Sequence, residues 1–545
     1  MKKNIVLAIL SGLLLWLAWP PMPYTSFILF FGLVPMLIAM ENIIQSDEKY
    51  KGRKIFRLAF LGFFIWNTLS IYWVYNSLKI IGNLIAIPVS LIPYSLGPLL
   101  MAAACWLYYR VRKYISRNLS LVMLVCFWMG YEYLHQCWAL AFPWMTLGNG
   151  FAITHQWIQW YAYTGVYGGT LWIWIANILI FLIYTGIREK QAKQYRLKLI
   201  TSLTLAILLP LSLSLYMYHT YVEATDPANI VVVQPNVDPY QKHGAIPVQA
   251  QIYTLTHLSD SIAQPNTEFF LWPESAIPES VDEDAFRNSN YYRQVQQFLN
   301  KYKNGNVITG VETTKLYNNA ATESANPIAG STQYYDAFNS AVNIENSAKL
   351  QFYHKSKLVP GAEEIPFAAG IFKPIFSYLG GAAGSYGKQK EPTVFYSQAG
   401  IGAAPVICYE SIWGEYVATY VNKGAQFIAI ITNDGWWENT SGKDQHLDYA
   451  KLRAIETHRW VCRSANTGIS AFINQRGDIV KHSAWWVQTA IKQDINLNSD
   501  LTFYVKYGDY IPKFASLIAM LGIVFIFFRM AVKRWKKLPP DGSVV

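Results

Sequence analysis

Apolar residues fill the first 220 positions in long blocks separated by short polar turns. A stretch of mixed polarity follows, and one last apolar block lies near the C-terminus. The blocks cover residues 4–20 and lie near 25–41, 56–77, 84–109, 118–135, 158–187 and 198–219, with an eighth near 513–531. Each has the length at which a helix crosses a hydrocarbon core. The first block follows Lys2 and Lys3, as a cleaved leader would. The succeeding Trp19-Pro20-Pro21-Met22-Pro23 makes a poor cleavage site and a second apolar block begins at once, which predicts a retained helical hairpin.

Between the seventh and eighth blocks the pattern changes. Ala228–Asn236 is a β-branched run ending in turn residues, the signature of a buried strand. Helices are predicted over 249–263 and 291–302, strands over 268–272, 306–310 and 425–432, and a long helix over 446–463 that places Cys462 mid-helix in the core. Such alternation implies an α/β layered domain. The predicted division is a helical membrane domain over 1–220, an α/β domain over 221–511, a final helix with a basic end over 512–537, and a disordered tail over 538–545.

Composition supports the membrane reading: 52% of residues are hydrophobic and only 14% charged, too apolar for an ordinary soluble enzyme. The five cysteines have no metal-like spacing, and three of them (Cys105, Cys126 and Cys137) lie in apolar blocks, so neither a disulfide framework nor a metal or cofactor site is expected. The net charge of +11 raises the question of nucleic acid, yet residues 221–511 hold 28 acidic and 22 basic side chains, a net of −6. The positive excess therefore flanks the apolar blocks, which is a topology signal rather than a nucleic-acid face. Alternate connections carry Lys49, Lys51, Arg53 and Lys54, then Arg110, Arg112, Lys113 and Arg117, then Arg188, Lys190, Lys193 and Arg196, and both termini are basic. The opposite short loops carry almost nothing except Lys79. Both termini are thus predicted in the cytoplasm, and seven crossings place residues 222–511 on the outer face.

Candidate chemistry sits where apolar runs in the α/β domain end. Val406-Ile407 reads as a buried strand that stops at Cys408, where a helix start would favour a thiolate. A free cysteine at such a point is, by itself, more often a small core residue. Two other stretches change the balance. Phe269–Trp272 runs into Glu274, and Tyr353-His354-Lys355 precedes an apolar step and a Pro-Gly turn. A carboxylate to take the thiol proton, a thiol to attack a carbonyl and a lysine to hold the oxyanion form a coherent set.

Together these stretches resemble the carbon–nitrogen hydrolase (nitrilase) superfamily, and in detail its membrane-embedded branch, the apolipoprotein N-acyltransferases. The resemblance rests on W-P-E at Trp272–Glu274, K-x-x-L-V-P at Lys355–Pro360 followed by Glu363, and I-C-Y-E at Ile407–Glu410. It extends to T-N-D-x-W at Thr432–Trp436, Q-H-L at Gln445–Leu447 and R-x-x-N-T-G at Arg463–Gly468, and covers nearly the whole chain. It implies a nitrilase-like αββα sandwich, two sheets flanked by helices, joined to the membrane domain. It also implies Cys408 as nucleophile, Glu274 as base and Lys355 as oxyanion stabiliser, with Lys357 the nearest alternative lysine. Glu363 matches a supporting carboxylate and Asn339 a position that helps hold the site. Glu410 would orient a neighbour or the incoming amine, and Tyr409 would back the oxyanion pocket or simply pack.

The implied reaction takes an acyl chain from a phospholipid through a Cys thioester to the α-amine of a diacylglyceryl-modified apolipoprotein, on the outer face of the bacterial inner membrane. The rival readings are a membrane-tethered amidase with water as acceptor and, from another class, a transporter with an inactive enzyme-like domain. Glu132 is the one clear ionisable residue within an apolar block and is a functional candidate, a helix end near water being the alternative. Where the family carries an arginine near the loop that follows, the matching place holds His135. The loop Ala141–Met145 is expected at the membrane interface, and Phe367, Trp413, Trp436 and Trp437 are candidates for an apolar entrance, each with core packing as its alternative.

The orientation is open to test with reporter fusions. Alkaline phosphatase joined after Thr220 is expected to be active, and the same enzyme joined after Lys537 inactive. The opposite pattern would invert the topology.

Overall fold

The computed structural model describes residues 2–79, 82–240, 242, 246–322, 324–347, 349–364 and 386–535. Phe367 and the tail 538–545 lie outside them. Every predicted apolar block is largely helical, the one near 25–41 as two helical segments joined by a turn at residues 31–33. The long helices of the N-terminal part are α1 (Lys2–Leu17), α2 (Val34–Gln45), α3 (Lys51–Ile71), α4 (Asn83–Arg112), α5 (Arg117–Cys137), α6 (Val166–Arg188) and α7 (Lys193–Thr220). Six segments among the described residues are long and apolar enough to cross a membrane: Ser26–Gln45, Lys51–Ile71, Ala86–Arg112, Val166–Arg188, Lys193–Thr220 and the C-terminal Tyr510–Lys533. The other two predicted blocks are the 16-residue α1 and α5, whose 21 residues include Glu132, His135 and Gln136.

Close packing of these helices follows from small residues and from polar groups that satisfy freed backbone. Gly12 of α1 lies against Gly62 of α3, where an added Cβ would come within 2.2 Å of the Gly62 carbonyl oxygen. Pro210 interrupts α7 and leaves the Ala206 carbonyl without its helical donor, and the Trp172 indole N–H of α6 takes that carbonyl at 2.7 Å. In the same way Pro98 frees the Tyr94 carbonyl of α4, which accepts from Asn67 Nδ2 of α3 at 3.0 Å. Asn177 of α6 is fully buried and bonds the Leu29 carbonyl and the Leu33 N–H, both at 2.8 Å.

The α/β domain is a two-sheet sandwich. The first sheet contains β1 (Pro227–Gln234), β2 (Thr267–Leu271), β3 (Ile277–Asp282), β4 (Asn306–Tyr317), β5 (Asn326–Pro327), β6 (Tyr334–Glu345) and β7 (Leu350–His354), closed at one edge by β14 (Thr489–Asn496). The second runs β13-β12-β11-β10-β9-β8, with β8 (Phe395–Tyr396), β9 (Gly402–Ile407), β10 (Phe427–Thr432), β11 (Val461–Ala465), β12 (Ala471–Ile473) and β13 (Ile479–His482). Strands β1, β2 and β4 are parallel, as are β9, β10 and β11. Such strands are buried on both faces, which explains their unbroken apolar runs. Along β1, Ile230 and Val232 face the sandwich interior, while Val231 and Val233 face the helices α8 (Val248–Ile262) and α9 (Asn290–Leu299). The second sheet is covered by α10 (Gly414–Asn422) and α11 (Ser441–Thr457), and α12 (Tyr510–Trp535) returns to pack on α5.

Two expectations change here. The predicted helix over 446–463 ends at Thr457, His458 takes a left-handed conformation (φ 49°), and residues 461–465 form β11, so Cys462 lies on a buried strand. Pairing on both sides, with β10 and β12, outweighs the local helical pattern. The loop expected at an exposed interface is instead interior: Pro143, Trp144 and Met145 are buried, with Trp144 packed against Trp73, Trp437 and Tyr449. One continuous apolar cluster runs from the helices through this loop and α11 into the sandwich.

Asn177→Leu should leave the Leu33 N–H and the Leu29 carbonyl unpaired at a cost of about 1–3 kcal/mol. The melting temperature of detergent-purified protein is expected to fall by several degrees, and an unchanged value would show that these bonds contribute nothing.

Candidate active site

The carboxyl ends of β2 and β9 and the end of β7 converge on one buried cluster. β2 stops at Leu271, and the next residues turn tightly: Ser275 is left-handed (φ 48°) and Gly310 of β4 passes so close that a Cβ there would lie 2.6 Å from the Glu274 Cα. The turn aims Glu274 at β7. Lys355 follows β7 directly, its backbone N–H bonded to the Asn339 carbonyl of β6 at 2.8 Å. Its side chain is 1% exposed and donates to Glu274 Oε1 at 3.1 Å and to Glu363 Oε1 at 2.8 Å. Asn339 Nδ2 bridges the same two oxygens, at 2.8 and 2.9 Å. Glu363 Oε2 accepts from the Val359 N–H at 2.8 Å, which closes the turn after Lys355.

Cys408 is the first residue past β9 and is 8% exposed. Its backbone is left-handed (φ 49°), which costs about 1–2 kcal/mol for a residue with a Cβ. Strain of this kind persists only where the surroundings impose it. Burial pushes the thiol well above its usual range, the Glu274 carboxylate adds to the rise, and Lys355 offsets only part of it. A helix start and the lysine both favour the thiolate, but two carboxylates share the lysine's charge and desolvation is the larger contribution. Burial would draw the Lys355 ammonium down, but Glu274 and Glu363 outweigh it and hold it firmly protonated.

The supporting candidates separate clearly. Glu410 is buried and joins the two halves of the cluster: Oε1 accepts from the Ser356 N–H (2.7 Å), the Lys357 N–H (3.2 Å) and the Tyr353 hydroxyl, and Oε2 accepts from the Ile407 N–H (2.9 Å). It ties the turn after Lys355 to the strand before Cys408. Tyr409 donates its hydroxyl to the Ala141 carbonyl at 3.1 Å and packs on Phe142 and Trp413. Lys357 points elsewhere, over the rings of Trp413 (5.9 Å) and Tyr416 (5.2 Å). Trp413 and Trp437 belong to the packed contact between domains, while Trp436 is 36% exposed. Glu132 is fully engaged by Trp128 Nε1, the Leu147 N–H and Thr170 Oγ1 at 2.9–3.0 Å, and so anchors the buried loop. His135 Nδ1 accepts from the Trp138 indole at 3.0 Å.

Three motifs without a role from sequence meet beneath Cys408. Asp434, His446 and Arg463 form a fully buried network in which His446 Nδ1 lies 2.9 Å from Asp434 Oδ1 and Arg463 bonds Asp434 Oδ2. Arg463 and His446 outweigh burial and hold the Asp434 carboxyl well below its usual range. His446 Nε2 lies 3.2 Å from the Cys408 carbonyl. Lys242 also went unseen: it is buried with Nζ on the Glu274 backbone carbonyl at 3.2 Å, and burial lowers it to about 8, against the pull of Glu274. Nothing in the turn around it marks it in the sequence.

An αββα sandwich with a buried carboxylate, lysine and cysteine at its strand ends, fused to a bundle of apolar helices, defines a nitrilase-like domain of a membrane protein. The comparisons refine this. Residues 232–499 match the carbon-nitrogen hydrolase family model and residues 11–179 the apolipoprotein N-acyltransferase N-terminal domain. The chain is 28% identical over 526 residues to the apolipoprotein N-acyltransferase of Chlorobaculum tepidum, covering 94% of each, and 26% identical over 524 residues to that of Geobacter metallireducens, covering 93% of this chain and 92% of the relative. Among solved structures, an amidase from Nesterenkonia sp. matches 53% of this chain and 95% of its own, at 13% identity and a TM-score of 0.34. The chain belongs to the apolipoprotein N-acyltransferase family of the carbon–nitrogen hydrolases.

Because the resting thiol is protonated, alkylation of Cys408 by iodoacetamide should rise steadily between pH 7 and 9, about tenfold per unit with the thiolate fraction. The rate is read from the mass of the Cys408 peptide. A plateau near neutral pH would reveal a resting thiolate.

Proposed function

We propose that this protein is an acyltransferase of the bacterial inner membrane that N-acylates lipoproteins, with Cys408, Glu274 and Lys355 as its catalytic residues. All eight apolar helices cross the bilayer and the sandwich faces the periplasm, with both termini in the cytoplasm. The observation that carries the reading is the hydrogen-bonded cluster of buried Lys355, Glu274 and Asn339 with half-buried Glu363 beside Cys408, at the face where the sandwich meets the helical domain.

Glu274 takes the Cys408 proton as sulfur attacks an ester carbonyl of a phospholipid. Two of the three Lys355 N–H groups are held by carboxylates, and the third is available for the oxyanion, whose charge it meets without reorganisation. The tetrahedral intermediate collapses to a thioester, and Glu274 returns the proton to the departing lysophospholipid oxygen. The α-amine of a diacylglyceryl-modified N-terminal cysteine then attacks the thioester carbonyl, Glu274 accepts a proton from that nitrogen, and the amide forms as sulfur leaves and is reprotonated. Burial of the cluster limits loss of the thioester to water.

Intact mass of the detergent-purified protein after incubation with phosphatidylethanolamine tests the first half-reaction. A hydroxylamine-labile gain of one acyl chain is expected, absent in Cys408→Ala and reduced at least a hundredfold in rate in Glu274→Gln. No adduct, with small amides hydrolysed instead, would point to an amidase.

A further inference from the structure

Gln445 and His446 are neighbours on α11, yet their side chains serve different domains. Gln445 is 1% exposed, and every hydrogen-bonding position it has is taken by the helical domain. Nε2 donates to the Pro20 carbonyl (2.8 Å) and the Ser70 carbonyl (3.0 Å), and Oε1 accepts from the indoles of Trp73 (3.2 Å) and Trp144 (2.7 Å). Those four groups come from the turn after α1, the last turn of α3, the residues just past α3, and the buried loop after α5. A primary amide has two donors and room for two accepted bonds, so this side chain is saturated.

His446 instead faces the nucleophile. Its Nε2 lies 3.2 Å from the Cys408 carbonyl and 2.9 Å from Ser411 Oγ, which itself donates to that carbonyl at 2.8 Å. These contacts meet a peptide whose conformation is strained, that of the left-handed Cys408. The ring is enclosed by Trp144 (5.8 Å) and Trp437 (5.2 Å), and Trp437 in turn packs on Trp73 (4.8 Å). Of the two tryptophans bonded to Gln445, Trp144 therefore walls the ring that grips Cys408 and Trp73 backs that wall through Trp437.

We infer that docking of the helical domain sets the pose of the nucleophile, and that Gln445 is the positioning residue through which it does so. The bundle is then more than an anchor. Its four contacts fix the height of α11, α11 fixes His446, and His446 with Ser411 holds the Cys408 carbonyl turned so that the thiol stands in attacking position. Gln445 touches no reacting atom. Separation of the domains, even with the sandwich intact, would relax the left-handed residue. The inference rests on Cys408 being the nucleophile.

The test uses full-length protein in detergent and measures the rate of acyl-thioester formation from phosphatidylethanolamine across donor concentrations. Gln445→Met keeps the volume and removes all four bonds, and it should lower the maximal rate at least tenfold with the half-saturating donor concentration unchanged. His446→Gln should lower it similarly, and the pair Gln445→Met/His446→Gln should be no slower than His446→Gln alone, because both act through one contact. Trp73→Phe keeps the ring, removes one bond, and should give a several-fold loss; it decides the matter where Gln445→Met unfolds, which maleimide labelling of buried Cys462 would report. Losses that multiply in the pair, or a change confined to half-saturation, would overturn the inference. A wild-type protein that forms no hydroxylamine-labile adduct would instead overturn the assignment of Cys408 itself.

Discussion

A lysine ammonium buried to 1% exposure is the constraint around which the α/β domain closes. Such a charge is tolerated only when paired and fully hydrogen-bonded, because desolvation otherwise costs several kcal/mol. Lys355 obtains its partners from three distant points of the chain: Glu274 past β2, Glu363 in the turn after its own strand, and, through the carboxylates they share, Asn339 on β6. A shift of any one of these would cost the buried ammonium or its carboxylates a hydrogen bond. Burial pushes the Cys408 thiol up, the Glu274 carboxylate adds to the rise, and the paired lysine offsets only part of it.

The second organising feature is that the segment after Cys408 lies against the helical domain. Tyr409 bonds the Ala141 carbonyl, Trp413 the Gln136 carbonyl, and Gln445 four groups at once. The buried loop of residues 141–151 carries this contact, and Glu132 holds it from below through the Leu147 N–H. An ionisable side chain inside a helical bundle here serves architecture.

Much of the architecture was legible because its causes are local. Apolar blocks of bilayer length, basic connections and β-branched runs ending in turn residues are each visible within a short window, and β9 ends at Cys408 as its apolar run does. The catalytic candidates were legible for a related reason: each is the first polar residue or nearly so after a buried strand. Residues 461–465 were misread as helix because their strand identity comes from pairing with β10 and β12, which no local window contains. Asp434, His446 and Arg463 stood in motifs but had no assigned task, since their task is to bond one another across three elements.

By itself, then, the amino-acid pattern marked the apolar helices, several of the buried strands, and the side chains that are candidates for acid, base and nucleophile. Those properties follow from the hydrophobic period and from residue chemistry, which are written along the chain. Only the tertiary structure decided the protonation state of Cys408, the joining of Lys355 to two carboxylates, the turning of Tyr409 toward the helices and the roles of Gln445 and His446. Each of these depends on desolvation or on hydrogen bonds between residues tens to hundreds of positions apart, and such energies exist only once the chain has brought the partners together.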